Sequence, residues 1–155
     1  MTNQNLTPKE CSLLNELKGQ EQLCIDKYRR AAGTAVDGQL KGLFSHIADI
    51  EQQHLDTLTG IENGAVPQPN AAAGSAAMPT FTAVYDTADT PDKQNDCYLC
   101  TDALTTEKHA SGLYDTSVFE FRDENIRKAL NHIQGEEQGH GKMIYDYMAA
   151  NHMYS

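Results

Sequence analysis

Two stretches decide the fold: IADIEQQH at residues 47–54 and IQGEEQGH at residues 133–140. Each sets a glutamate three residues before a histidine, Glu51 with His54 and Glu137 with His140. Side chains three apart on a helix share a face, and each pair falls inside an apolar stripe. Around the first, Leu40, Leu43, Phe44, Ile47, Glu51, His54 and Leu58 recur at three- and four-residue steps. Around the second, Ile126, Ala129, Leu130, Ile133, Glu137, His140, Ile144, Tyr147 and Met148 do the same. Both read as amphipathic helices.

Upstream of each lies another helix. Leu6-Thr7-Pro8-Lys9-Glu10 is a start signal, with Thr7 as N-cap, Pro8 in the first turn and Glu10 closing a capping box. Leu14, Leu17, Glu21, Cys24, Ile25, Tyr28 and Ala32 form its stripe, and Gly33 to Asp37 is read as the break. Thr90-Pro91 opens a third helix in the same way, with Cys100, Ala103, Leu104, Glu107, Ala110, Ser111, Tyr114, Val118 and Phe121 inward. Asp123 caps the fourth. No segment alternates with the period of a strand.

Shifting the first half by 86 residues lays Cys11 on Cys97, Glu21 on Glu107 and Tyr28 on Tyr114. It also lays His46-Ile47 on His132-Ile133, Glu51 on Glu137 and His54 on His140. Matches at such unusual residue types mark an internal repeat. The expectation is an all-α four-helix bundle, a single domain over 1–155. Its two repeated hairpins, about 7–59 and 91–150, are joined by a link at about 60–90. That link is rich in Gly, Ala, Pro, Ser and Asn, with Phe81, Val84 and Tyr85 as its anchors. A crossover this long lets the second pair of helices enter parallel to the helix just completed.

The chemistry concentrates in Glu21, Glu51, His54, Glu107, Glu137 and His140. Glu21 and Glu51 each lie ~15 residues from the turn between them, or ~22 Å at a rise of ~1.5 Å per residue. They therefore share a level on facing helices, and Glu107 and Glu137 repeat the arrangement. No lysine or arginine occupies the stripes beside them, and an unpartnered buried carboxylate costs several kcal/mol. Two divalent cations would balance the four carboxylates, with two neutral imidazoles completing the set. One Glu from each of two helices plus Glu-x-x-His from the other two is the ligand pattern of di-iron and di-manganese carboxylate bundles. The oxygen-rich set points to iron or manganese. Glu51 and Glu137 are the candidate bridges, Glu21 and Glu107 the terminal ligands, and His54 and His140 bind one metal each.

Tyr28 and Tyr114 lie two turns beyond Glu21 and Glu107 on the same face. They are the candidate catalytic residues, read either as hydrogen-bonding a ligand carboxylate or carrying an electron, or as core tyrosines satisfied by a neighbouring helix. His46 and His132 read either as edge-of-core residues or as support behind a carboxylate, and His109 and His152 as surface. Cys97-x-x-Cys100 has no second pair to complete a zinc site, so reduced core thiols are expected. Cys24, one turn from Glu21, either faces the metals or fills space. Cys11 and Cys97 are expected near opposite ends of the bundle, too far apart to bridge.

Composition sets bounds. Twelve basic against 22 acidic residues give a formal charge of −10, which disfavours a nucleic-acid partner. No apolar run reaches the ~20 residues of a membrane span. Met1 to Glu10 is polar, so a signal peptide is not expected and synthesis in the cytoplasm is.

The six-residue pattern resembles the ferritin-like superfamily, as in rubrerythrins and related di-iron proteins. Within it, the second half resembles the spore coat protein F family of endospore-forming bacteria. The residues that carry this are Leu104-Thr105-Thr106-Glu107-Lys108, Tyr114, and Ile133 to His140 with Glu136-Glu137-Gln138. The first half is similar more loosely, through Leu13 to Glu21, Lys27-Tyr28 and Leu40 to His54. The resemblance implies a ferritin-like bundle and a place in the spore coat among other coat proteins. From the ligand set itself, open coordination positions facing each other on two metals would bind peroxide or dioxygen. The activity would be ferroxidase or peroxidase with iron, and peroxide disproportionation with manganese. The rival reading is a structural coat component whose metal is absent or only a staple. A homo-oligomer is compatible with either.

Overall fold

Caps written in the sequence set the helix boundaries. The Thr7 hydroxyl accepts from the Glu10 N–H and the Glu10 carboxylate accepts from the Thr7 N–H, opening α1 (Pro8–Thr34). Asp37 caps α2 (Gly38–Glu62), Thr90 caps α3 (Pro91–Val118) and Asp123 caps α4 (Glu124–Ala150). The structure, a computed structural model, describes residues 6–65 and 78–154. No strand occurs among them.

Three boundaries differ from expectation. α1 runs through Gly33 to Thr34 and stops where Ala35 turns extended, its N–H still bonded to the Ala31 carbonyl. α2 continues past residue 59 to Glu62, because Ile61 is fully buried and carries the apolar stripe onward. Phe121 lies beyond α3, in the turn before α4, yet is buried there. The middle of the expected link, residues 66–77, lies outside the described residues.

Cross-bundle contacts give the helix directions. Tyr28 bonds Glu107 and Tyr114 bonds Glu21, so α1 and α3 run antiparallel. His54 faces Glu137 and His140 faces Glu51, so α2 and α4 do too. With α1 and α2 joined by a tight turn, α2 and α3 are parallel, and Glu62 and Pro91 stand at opposite ends of the bundle. Cys11 and Cys97 are likewise at opposite ends, and all four cysteines are free thiols.

Two apolar clusters form the core. One gathers Cys24, Tyr28, Leu40, Phe44, Ile47, Cys100, Ile144 and Tyr147 near the α1–α2 turn. The other gathers Leu14, Leu17, Leu58, Ile61, Tyr114, Phe121, Ile126, Leu130 and Ile133. The four glutamates and two histidines form the layer between them. Apolar packing above and below fixes their rotamers and keeps water out.

Polar residues clamp the end of the bundle beside the α1–α2 turn. Buried Asp96 accepts the N–H groups of Val36 and Asp37 (2.8 and 3.0 Å) and the Tyr85 hydroxyl (2.6 Å). Buried Asn151 accepts the N–H groups of Val84 and Tyr85. Phe81 sets its ring edge-on to Tyr147, 5.4 Å between centroids. Phe81 and Tyr85 thus anchor the segment before α3. Val84 does not anchor it through its side chain, which is exposed, because Asn151 holds its backbone instead. No described helix is long and apolar enough to cross a membrane.

Candidate metal centre

All six residues singled out in the sequence meet at one level of the bundle, each no more than 3 % exposed. Glu21 comes from α1, Glu51 and His54 from α2, Glu107 from α3, and Glu137 and His140 from α4. They divide into two overlapping groups. Ligand atoms of Glu21, Glu51, His54 and Glu137 lie within 4.8 Å of one another, as do those of Glu51, Glu107, Glu137 and His140. Glu51 and Glu137 belong to both groups.

Both histidines turn Nδ1 inward. His54 Nδ1 lies 3.1 Å from Glu137 Oε1, 3.2 Å from Glu51 Oε1 and 3.6 Å from Glu21 Oε1. His140 Nδ1 lies 3.3 Å from Glu51, 3.4 Å from Glu107 and 3.8 Å from Glu137. The imidazoles stack at 6.0 Å between centroids. The tyrosines work crosswise: Tyr114 donates to Glu21 Oε2 (2.5 Å), and Tyr28 donates to Glu107 Oε2. Each thereby fixes a carboxylate carried by the other hairpin.

The cluster is short of positive charge and of hydrogen-bond donors. Glu21 Oε1, both Glu51 oxygens, Glu107 Oε1, Glu137 Oε2 and His140 Nδ1 are buried with no hydrogen-bond partner. Such atoms are rare in native proteins and expensive in a dry interior. They converge on the two overlapping groups, where a cation in each would satisfy them. The residues present therefore fit a pair of divalent ions.

Without cations, protons do the compensating. Burial pushes the Glu137 carboxyl up to about 10, reinforced by Glu107 and only partly offset by the histidines. Burial also raises Glu21. Burial opposes charging of His140, but Glu107, Glu137 and Glu51 outweigh it and push the imidazole up to about 11. His54 is likewise held well above its ordinary range, its burial outweighed by Glu136, Glu137, Glu21 and Glu51. Burial would raise Glu51 as well, yet the nearby imidazoles of His140 and His54 bring it below the usual carboxylate range. Burial first, then the neighbouring glutamates, raise the Cys24 thiol and both tyrosine hydroxyls. Cys24 is accordingly a thiol, packed in the apolar cluster beside the α1–α2 turn and accepting from Gln20 Nε2 at 3.5 Å.

One participant lay outside the sequence-based set of ligands. Glu136 Oε1 sits 2.9 Å from His54 Nε2 and 3.2 Å from His132 Nε2. A carboxylate behind a histidine fixes which nitrogen carries the proton and leaves the other free to ligate. The only sequence signal was a second glutamate next to Glu137. His132 is half exposed rather than part of the core edge, and its contact is Glu136. His46 is exposed.

The geometry defines an all-α bundle around a buried carboxylate–imidazole cluster able to hold metal ions. Residues 95–155 match the family model of the Coat F domain, a stretch that takes in most of α3 and all of α4. Over that stretch, less than half of the chain, the match supports the spore coat protein F family, and it contains Glu107, Tyr114, Glu137 and His140. No curated protein matches the chain.

Proposed function

We propose that this chain is a spore-coat protein of the ferritin-like class whose buried cluster holds two divalent ions, iron or manganese, and reacts with peroxide or dioxygen. The observation that carries the reading is the set of partnerless buried ligand atoms shared between two four-residue groups. Glu21 and His54 would serve one ion and Glu107 and His140 the other, with Glu51 and Glu137 common to both. When bound, such a pair supplies two electrons to an oxidant or takes two from it.

The chain's own residues then have defined tasks. Tyr28 and Tyr114 hold Glu107 and Glu21 with one oxygen aimed at the cluster. Glu136 accepts from His54 Nε2, so that Nδ1 keeps its lone pair for an ion. The apolar clusters above and below exclude bulk water and keep reactive species from the rest of the bundle. Other coat proteins are the expected neighbours, as the Coat F match suggests.

The test loads the protein anaerobically with ferrous iron, or with manganese, and follows peroxide consumption. The wild type should outpace the same concentration of free ion, and Glu51→Ala and Glu137→Ala should each abolish the excess while far-UV circular dichroism stays helical. Consumption no faster than free ion, with metal bound, would leave a building block stapled by metal.

A further inference from the structure

The repeat is broken on one side of the cluster. A cavity of about 710 Å³ lies between α3 and α4, lined by Leu104, Ser111, Gly141, Tyr145 and Tyr154, with Glu107 and Glu137 also on its wall. The positions equivalent to Ser111 and Gly141 in the first hairpin, 86 residues earlier, hold Ile25 and Leu55. Ile25 is 3 % exposed and fills its place. In the second hairpin a hydroxymethyl and a hydrogen replace two branched aliphatic chains, which opens the flank beside Glu107 and Glu137. A Cβ at Gly141 would stand 3.9 Å from Leu104 Cδ2, ordinary contact distance, so the glycine leaves open space rather than relieving a clash.

We propose that this α3–α4 groove is a binding site for a phenol, its hydroxyl leading toward the Glu107–His140 half of the cluster. The size lies in the range of small-molecule sites. Leu104 gives an apolar wall, and at the mouth Tyr145 and Tyr154 stand edge to face, 4.9 Å between centroids, each about half exposed. Exposed aromatic faces and edges reward an aromatic guest over an aliphatic one. At the inner end the Ser111 hydroxyl accepts from Gln134 Nε2 (3.3 Å) and retains its proton for a ligand oxygen. Glu107 and Glu137 also stand on this wall, and their inner oxygens belong to the cluster. A phenol oxygen accepts a hydrogen bond from the Ser111 hydroxyl while its ring meets the apolar and aromatic walls. The groove thus fits either a free phenol or a tyrosine side chain. What the site does with its guest rests on the metal-centre reading; the binding itself is tested apart from it.

Saturation-transfer NMR with p-cresol, N-acetyl-tyrosinamide and cyclohexanol, on both metal-free and zinc-loaded protein, separates the outcomes. p-Cresol should bind both forms. Gly141→Leu and Ser111→Ile, which restore the first hairpin's filling, should each weaken it by about 10-fold or more. Tyr145→Ala, at the surface, should weaken it about 3- to 10-fold. Binding of N-acetyl-tyrosinamide as well would assign the groove to tyrosyl chains, and its exclusion would assign it to free phenols. Cyclohexanol binding as tightly as p-cresol, or p-cresol binding unaffected in Ser111→Ile and Tyr145→Ala, would overturn the proposal. Retention in protein that takes up no zinc would leave the groove standing and remove only the metal reading.

Discussion

A single carboxylate distinguishes the two histidines at the centre. His54 has Glu136 at its outer nitrogen, whereas the equivalent position in the first hairpin, facing the His140 side, is Ile50. Carboxylate support of this kind is typically worth about 10- to 100-fold in metal affinity. Glu136→Ala should therefore weaken one of two manganese ions by about that factor and spare the other. A manganese titration followed by the electron paramagnetic resonance of the free ion would show the first step moving and the second staying. Loss from both steps equally, or from neither, would deny the role. Sequence alone could find the six inner residues because charge inside an apolar stripe is rare, and here it occurs twice at one spacing. Glu136 gave no such signal: it is partly exposed and reads as one more acidic surface residue beside Glu137. Ser111 stayed silent for a related reason, since what it contributes is space, and only the comparison with Ile25 reveals the vacancy.

Among the elements, the helix ends were the most legible and the end clamps the least. Thr7, Asp37, Thr90 and Asp123 all cap the helices their positions announce, because a short polar side chain before an apolar stripe has few other uses. α3 buries Lys93, Asp96, Thr106 and Ser117 along with its apolar residues, so its stripe is blurred and Asp96 is indistinguishable from a surface aspartate. Glu10 makes the clearest stability prediction. It closes the α1 capping box and also accepts the Arg122 N–H in the α3–α4 turn at 3.0 Å. Burial would raise its carboxyl, but those N–H donors and the Arg122 guanidinium hold it below the ordinary carboxylate range. The lowered value means stabilisation that is complete above the unfolded-state pKa and fades as pH falls through the folded one. Glu10→Ala should cost about 1–2 kcal/mol at neutral pH. In thermal melts the gap to wild type should narrow below about pH 4.5. A gap that widens in acid would contradict the assignment.

At the scale of the molecule, the arrangement is a polar layer held between two apolar clusters and built from both halves of a repeat. Neither hairpin completes either group of ligands: the first supplies Glu21, Glu51 and His54 and needs Glu137, and the second supplies Glu107, Glu137 and His140 and needs Glu51. Metal binding would therefore join the hairpins, and ions that bind only the folded state would add their binding free energy to its stability. The antiparallel pairing of α1 with α3 and of α2 with α4 brings the two halves into register at this layer. The register between hairpins comes from the tyrosine and histidine contacts, whereas the level shared within each hairpin could be worked out from the equal distances of its glutamates to the turn. The one-sided opening between α3 and α4 could not, because it arises where the repeat fails. The most direct measurement is metal content by mass spectrometry, on protein purified without a metal-affinity step from cells supplied with iron and manganese. The account predicts about two ions per chain, matching the two ligand groups, and their loss in the Glu51→Ala/Glu137→Ala double variant. Metal well below one ion per chain, unchanged in that variant, would contradict it.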